Sequence, residues 1–133
     1  MNADERIKLE DFRLHLDGGR CEAQVVLGWG KEDTYVGTSQ GTSSHVGSCR
    51  CAAEATIRAL EAAADNRVSL ELVGLRTMKA FDSTVVIVCL VSRSEHHVLP
   101  FVGACLAKDG HVSRYATLAV LDATNRLLGA FDE

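Results

Sequence analysis

The sequence contains few of the residues that mark specialised classes of protein. It has one proline and five cysteines in 133 residues, and only 5% of its residues are aromatic. A collagen-like, fibrous or disulfide-stapled chain is therefore excluded, because each of those classes has a strong compositional bias. Positive charge is also scarce, since 14 basic residues against 18 acidic ones leave a net charge of −4. This balance argues against a surface that binds nucleic acid by charge alone.

Long hydrophobic segments are missing as well. The longest strongly apolar run, Val85–Val91, is too short to cross a bilayer. No apolar stretch follows Met1, so no secretory signal is predicted. The odd number of cysteines, at irregular spacings, favours reduced thiols. We therefore expect a cytoplasmic protein with no membrane partner.

What the chain does contain is a globular composition and an internal duplication. About 47% of residues are apolar and 24% are charged, which is typical of a single globular domain of this length. Two pseudo-repeats, at about 6–64 and 67–129, share four short matches in the same order, at offsets that grow from 61 to 68 residues. The matches pair Arg6–Glu10 with Arg67–Glu71, Val36-Gly37 with Val102-Gly103, His45-Val46 with His111-Val112, and Ala55–Leu60 with Ala123–Leu128.

Each repeat is predicted to form three strands followed by a helix. Alternating apolar residues and the turn at Asp17-Gly18-Gly19 indicate strands and a hairpin in the first repeat. The predicted helices cover 46–64, with Ser43 or Ser44 as N-cap, and 113–128, with Gly129 as a C-terminal stop. Pro100 predicts an edge strand or a bulge. The expected fold is α+β: duplicated βββα units, a mostly antiparallel sheet, and two helices on one face.

The run Val85–Val91 predicts self-association. It does not alternate, which is typical of a strand that is buried on both faces. Two helices cover only one face of a six-stranded sheet, so the other face needs another layer. A second copy of the chain supplies that layer in the simplest case, and we expect a homodimer. The alternative is a sheet that curls into a partial barrel and covers itself.

The second helix carries a candidate interface. The first helix has a polar stripe of alternating charge, which includes Arg50 and Glu54. With the offset of 68 residues, Tyr115 and Leu118 interrupt the corresponding stripe of the second helix. An aromatic and a leucine on a face expected to meet water favour a partner surface.

The segment before the first helix is a candidate ligand site. Its glycines and hydroxyl residues resemble a loop that holds an anion with backbone N–H groups at a helix start. His45 and His111 occupy equivalent places before the two helices. The predicted ligand-binding residues are Gly37, Gly41, Ser43, Ser44, His45 and His111, and the predicted ligand is a small anion or an amino acid.

The sequence contains no recognised catalytic or metal-binding motif. Cys49 and Cys51 are two residues apart on a helix and point in different directions. His96-His97 lies in a charged turn with no further ligand spacing, so no metal or cofactor is expected. Neither a G-x-S-x-G nor an H-E-x-x-H element is present. The chain is predicted to be non-catalytic, with no catalytic residues, although an enzyme with an unrecognised site is a third hypothesis.

The doubled order of three strands and a helix resembles the C-terminal regulatory and dimerisation domain of 2-isopropylmalate synthases. The likeness covers about residues 6 to 129, mainly as topology, and the helix that ends Ala123–Leu128 is similar to the closing helix of that domain. At the start of the first helix, His45-Val46-Gly47-Ser48 replaces the Gly-Pro-hydrophobic-Asp-Ala motif of that family. The resemblance implies a pseudo-symmetric fold that dimerises and binds an amino-acid effector near the symmetric loops.

The first repeat also resembles the latter part of a double-stranded-RNA-binding domain, through Tyr35-Val36-Gly37, Ser43-Ser44 and Ala52–Ala55. That family has a basic cluster at its helix start, where this chain has only Arg50, so phosphate contacts lack a source. Three functions therefore remain in order: a self-associating small-molecule sensor or regulatory module, a structural or protein-interaction module that uses the second helix, and an RNA-binding domain.

Overall fold

The computed structural model describes residues 6–30, 32–66, 68–93 and 98–131. Arg67 and the pair His96-His97 lie outside these residues. The elements are β1 (Lys8–Asp17), β2 (Arg20–Trp29), β3 (Asp33–Thr42), α1 (His45–Ala63), β4 (Ser69–Ala80), β5 (Ser83–Arg93), β6 (Val98–Ala107) and α2 (Val112–Phe131). The predicted α+β class and the doubled order of three strands and a helix are confirmed.

The strands form two separate antiparallel sheets. Sheet A has the order β1-β2-β3, and sheet B has the order β4-β5-β6. The expected single six-stranded sheet is therefore wrong, and the described strands do not close into a barrel. Each unit instead pairs its own strands through short connections, and the helices join the two units. Pro100 lies on β6, an edge strand of sheet B, as predicted.

Equivalent positions in the two units follow from the strand register. Val25 pairs with Gly37 across β2 and β3, and Val88 pairs with Gly103 across β5 and β6. Val88 follows Val25 by 63 residues, and Gly103 follows Gly37 by 66. Both units also have a register shift near the start of the first strand, at Leu9/Asp11 and at Leu72/Gly74. The two units therefore have equivalent residues at the same positions of their strand pairings.

The two glycines allow each helix to lie directly on its sheet. A Cβ atom at Gly37 would overlap the backbone of Ala55, and a Cβ atom at Gly103 would overlap the backbone of Ala119. Ala119 follows Ala55 by 64 residues, so the helix offset of 68 taken from the sequence is wrong. Small residues recur every four residues in both helices. The sequence alignment of α1 with α2 is therefore displaced by four residues, about one helical turn.

One cluster of buried residues extends through both units. The inner faces of β2 and β5 are apolar, and Leu27 and Leu90 at their centres are fully buried. The small buried residues of α1 and α2, most of them alanines, fill the space between the helices and the sheets. Burial of this apolar surface is the main force that holds the units together.

Hydrogen bonds at equivalent places connect the two units. The carboxylate of Glu61 accepts the backbone N–H of Leu70 in β4 (3.1 Å), and the amide of Asn125 donates to the carbonyl of Ile7 (3.4 Å). Asn125 follows Glu61 by 64 residues, so each helix holds the first strand of the opposite unit. Where the helices meet, the hydroxyls of Thr56 and Thr117 lie 3.0 Å apart and are both buried.

Burial along β5 differs from the prediction. Val86, Val88 and Leu90 on the inner face are fully buried, whereas the apolar residues between them are only half-buried. The expectation that this strand is covered on both faces is therefore wrong for a single chain. Alternation is absent from the sequence because both faces are apolar, although α2 covers only the inner one.

Several boundaries also differ from the prediction. The segment before α1 was expected to be a loop from Gly37 or Gly41, but β3 continues to Thr42. At its other end, α2 continues through Gly129 to Phe131. The hairpin at Gly18 is confirmed, with a positive φ of 62° at that glycine. None of the described helices is both long enough and apolar enough to span a membrane.

Candidate functional site

The candidate site lies where the two helices begin, and the start of α1 is held by two serines. Ser44 is the N-cap, as predicted, and its side chain accepts the backbone N–H of Gly47 (2.9 Å). The hydroxyl of Ser43 donates to the carbonyl of Gly18 (3.1 Å), and the Ser43 N–H donates to the carbonyl of Gly19 (3.0 Å). The first hairpin therefore fixes the position of the helix start.

The start of α2 is organised by Asp109. Its carboxylate accepts the backbone N–H of His111 (3.0 Å) and the hydroxyl of Tyr115 (3.3 Å). The His111 N–H, followed by the Tyr115 hydroxyl and nearby positive charge, lowers the pKa of Asp109 below its usual range. Partial burial and the Asp109 charge raise the pKa of Tyr115. Asp109 therefore remains a carboxylate that holds this turn in place.

The two helix starts line one cavity of about 190 Å³. The first unit contributes three residues of α1, and the second contributes the turn before α2 and its first residues. The lining residues are His45, Ser48, Cys49, Gly110, His111, Val112 and Ser113. Residues that are 66 positions apart in the sequence, His45 and His111, thus face the same space.

A second cavity of about 350 Å³ shares His45 and Val112 with the first. Its other walls come from the hairpin between β4 and β5, and consist of Thr77, Met78, Lys79 and Thr84. We call the two adjoining cavities the helix-start groove. It combines two imidazoles and two serines at one end with a lysine and a methionine at the other.

The positive charge at the groove comes from its two helix starts and from one lysine. A helix start carries partial positive charge, which attracts carboxylate or phosphate. Here Ser44 already accepts the Gly47 N–H, and the Asp109 carboxylate accepts the His111 N–H. Two helix starts here face one cavity, and Lys79 adds a full positive charge to the groove. No acidic side chain lines either cavity. Val112, which lines both cavities, supplies apolar surface where they adjoin.

The thiol in the groove does not have the properties of a nucleophile. Cys49 is buried, and burial raises the pKa of its thiol. A catalytic cysteine requires the opposite shift, since the thiolate is the reactive form. Among the residues that the structure describes, no group of three His, Cys, Asp or Glu side chains is placed to hold a metal ion. Among the described residues, the groove therefore offers neither an activated thiol nor a set of metal ligands.

The structure separates the residues predicted to bind a ligand. His45 and His111 line the groove, and Ser43 and Ser44 lie just before it as structural residues. Gly37 and Gly41 lie in β3, so their backbone groups belong to the sheet rather than to the predicted anion loop.

Sequence reasoning missed the other residues of the groove. Ser48 and Ser113 lie close to the two histidines in sequence, which could have signalled them. No feature of the sequence near Lys79 predicts a place in the groove, because only the fold brings the β4–β5 hairpin to α1.

The predicted interface residues of α2 are both half-buried. Tyr115 and Leu118 pack against the core, and Tyr115 also contacts Asp109. Leu118 lines a separate cavity with Arg6, Lys8 and Arg114. The corrected helix offset of 64 residues explains Tyr115, which corresponds to the buried Cys51, but not Leu118, which corresponds to Glu54 on the polar stripe of α1. Their role as an interface stays a prediction.

Comparison with known proteins adds no identity to this site. No protein-family model matches the sequence, and no curated protein matches it. The function therefore has to be inferred from the fold and the groove.

Proposed function

We propose that this chain is a non-catalytic regulatory module that senses a small anionic ligand in the helix-start groove. One observation carries the proposal: His45 and His111, from different units, line a single cavity that both helix starts face. Each unit alone forms only half of that cavity. A bound ligand would contact both halves and would therefore stabilise the arrangement of the units.

An amino acid or a small phosphate compound fits the groove best. A carboxylate or phosphate is attracted by the helix starts, and a short apolar group fits against Val112. The cavities, about 190 and 350 Å³, suit a ligand of a few heavy atoms to one the size of an amino acid. The resemblance to the regulatory domain of 2-isopropylmalate synthases, which implies an amino-acid effector, agrees with this choice. Reduced thiols at all five cysteines agree with a cytoplasmic location.

A thermal-shift panel tests the proposal. The purified chain is heated with each of the 20 common amino acids, with inorganic phosphate and with nucleoside phosphates. We expect at least one compound to raise the Tm by several degrees, since a ligand at about 100 times its Kd adds about 2.7 kcal/mol to the stability of the native state.

Matched variants identify the binding site in the same assay. His45→Ala and His111→Ala should each reduce the shift, because both side chains line the cavity. His15→Ala is the control, since His15 is exposed on β1 and does not line the groove. The proposal fails if no compound raises the Tm, or if the shift persists in both groove variants.

A further inference from the structure

The two sheets have the same layout, but their outer faces differ in chemistry. Strand alternation places Val86, Val88 and Leu90 toward α2, so the residues between them point outward. The outer face of sheet B carries Val73, Met78, Val85, Ile87, Cys89, Val91, Val102, Ala104 and Leu106, together with Glu71, Arg76 and Arg93. We call this surface the outer face of sheet B.

Sheet A serves as an internal control for this surface. Gln24 occupies in β2 the place that Ile87 occupies in β5, and Gln40 occupies in β3 the place of Leu106 in β6. The outer residues of sheet A are polar and exposed at most equivalent positions, which include Glu22, Gln24, Thr38 and Gln40. The apolar exceptions are Val26 and Val36, which correspond to Cys89 and Val102. The fold therefore does not require an apolar outer face, and sheet B has one for another reason.

Exposure on this surface is unusual for apolar side chains. Val73 is 56% exposed, and Met78 and Val102 are each 52% exposed. They lie on three-stranded sheet B around the half-buried row from Val85 to Val91. Contiguous apolar patches of this kind mark interaction sites.

We infer that the outer face of sheet B is a self-association surface, on which a second copy of this chain docks face to face about a two-fold axis that crosses β5 over Cys89. The axis lies between the sheets and is perpendicular to the strands. It places Cys89 over Cys89 of the other copy and Val102 over Val102, while Ile87 lies over Val91.

The charges on this face support a second copy rather than an unrelated protein. Arg76 lies opposite Ile87 in the register of β4 and β5, and Glu71 lies opposite Val91. These two register positions are equally distant from Cys89, on either side of it. The proposed axis therefore places Arg76 of each copy over Glu71 of the other, beside the ion pair that Glu71 makes with Arg93 (2.8 Å). The same patch is thus complementary to itself, as a two-fold interface requires.

The outer face of sheet B is also large enough for a specific interface between two copies. Three strands spaced about 4.8 Å apart and roughly 35 Å long present about 500 Å² on each copy. Two such faces together reach about 1,000 Å², the lower bound for a specific interface. Two twisted sheets packed in this way cross at about 30°, the ordinary geometry of a β-sandwich.

Light scattering during size exclusion tests the inference. At rising concentrations we expect the mass to approach twice the 14.3 kDa of one chain. Ile87→Glu should return the mass to that of one chain, because it buries two carboxylates in the apolar centre. Gln24→Glu, at the same place in sheet A, is the matched control and should leave the dimer unchanged. Circular dichroism establishes that both variants are folded.

Cross-linking identifies the face independently of any variant that perturbs it. Oxidation with copper phenanthroline should join two wild-type chains by a disulfide between their Cys89 thiols, which meet near the axis. Cys89→Ser should abolish the covalent dimer, and Cys105→Ser, on the inner side of β6, should not. The inference is overturned by a monomer at all concentrations, by a dimer that Ile87→Glu leaves intact, or by cross-links that do not involve Cys89. Ligand binding in the helix-start groove is a separate measurement, so either proposal can fail alone.

Discussion

Replacing Gly103 by alanine is expected to destabilise the protein by about 1–3 kcal/mol or more, the usual range for overpacking. The added Cβ atom would overlap the backbone oxygen of Ala119 and would come within 2.6 Å of the Ala123 nitrogen. Backbone atoms of a buried helix cannot rotate aside, so α2 must move away from sheet B and lose contacts along its length. Gly37→Ala should have the same effect on α1. Urea unfolding monitored by circular dichroism measures both losses.

The chain offers controls for this prediction. A Cβ atom at Gly19 or Gly110 would have no neighbour within 4 Å, and neither residue has a positive φ. Alanine at either position should leave the unfolding midpoint nearly unchanged or raise it slightly, because alanine restricts the unfolded chain. A Gly103→Ala protein as stable as the Gly110→Ala control would contradict the close approach of helix and sheet.

Truncation of Leu90 to alanine should cost about 2–5 kcal/mol, a large part of the 5–15 kcal/mol typical of a domain. Leu90 is fully buried on the central strand of sheet B, and truncation leaves a cavity within the buried cluster. Leu27→Ala should cost a similar amount, since Leu27 holds the equivalent place in sheet A. Because one buried cluster joins the units, each variant should still unfold in a single transition.

Thermal unfolding of the two truncations can contradict this view of the core. Leu16→Ala is the control, because Leu16 is 57% exposed and its loss should change the stability little. If Leu90→Ala produced two transitions, with sheet A and α1 unfolding at the wild-type temperature, the units would be independent domains. The hydrogen bonds from Glu61 to Leu70 and from Asn125 to Ile7 would then contribute little to the coupling.

Local patterns predicted the elements well, because their causes are local. The polar and apolar alternation of β1, the turn at Gly18 and the cap at Ser44 each depend on residues close in sequence. The duplicated order of strands and helix could therefore be predicted from the sequence alone. The pairing of strands across the chain could not, because a sequence of strands does not say whether two units share one sheet or form two.

The errors in the site have the same origin. Gly37 was predicted to cradle an anion, but its lack of a side chain serves the approach of α1 to β3. That reason is visible only when the helix has been placed. His45 and His111 were predicted from their equivalent positions, and the structure brings them to one cavity. Lys79 was missed because the β4–β5 hairpin reaches the groove only through the arrangement of the two units.

The joint binding of one ligand by both units is tested most directly by NMR of the histidine side chains. The imidazole signals, assigned with single His→Gln variants, are followed while the compound with the largest thermal shift is added. The signals of His45 and His111 should move together with one common Kd, and the signal of His15 should stay in place. Movement of only one of the two, or a shift of His15 equal to theirs, would contradict a shared site between the helix starts.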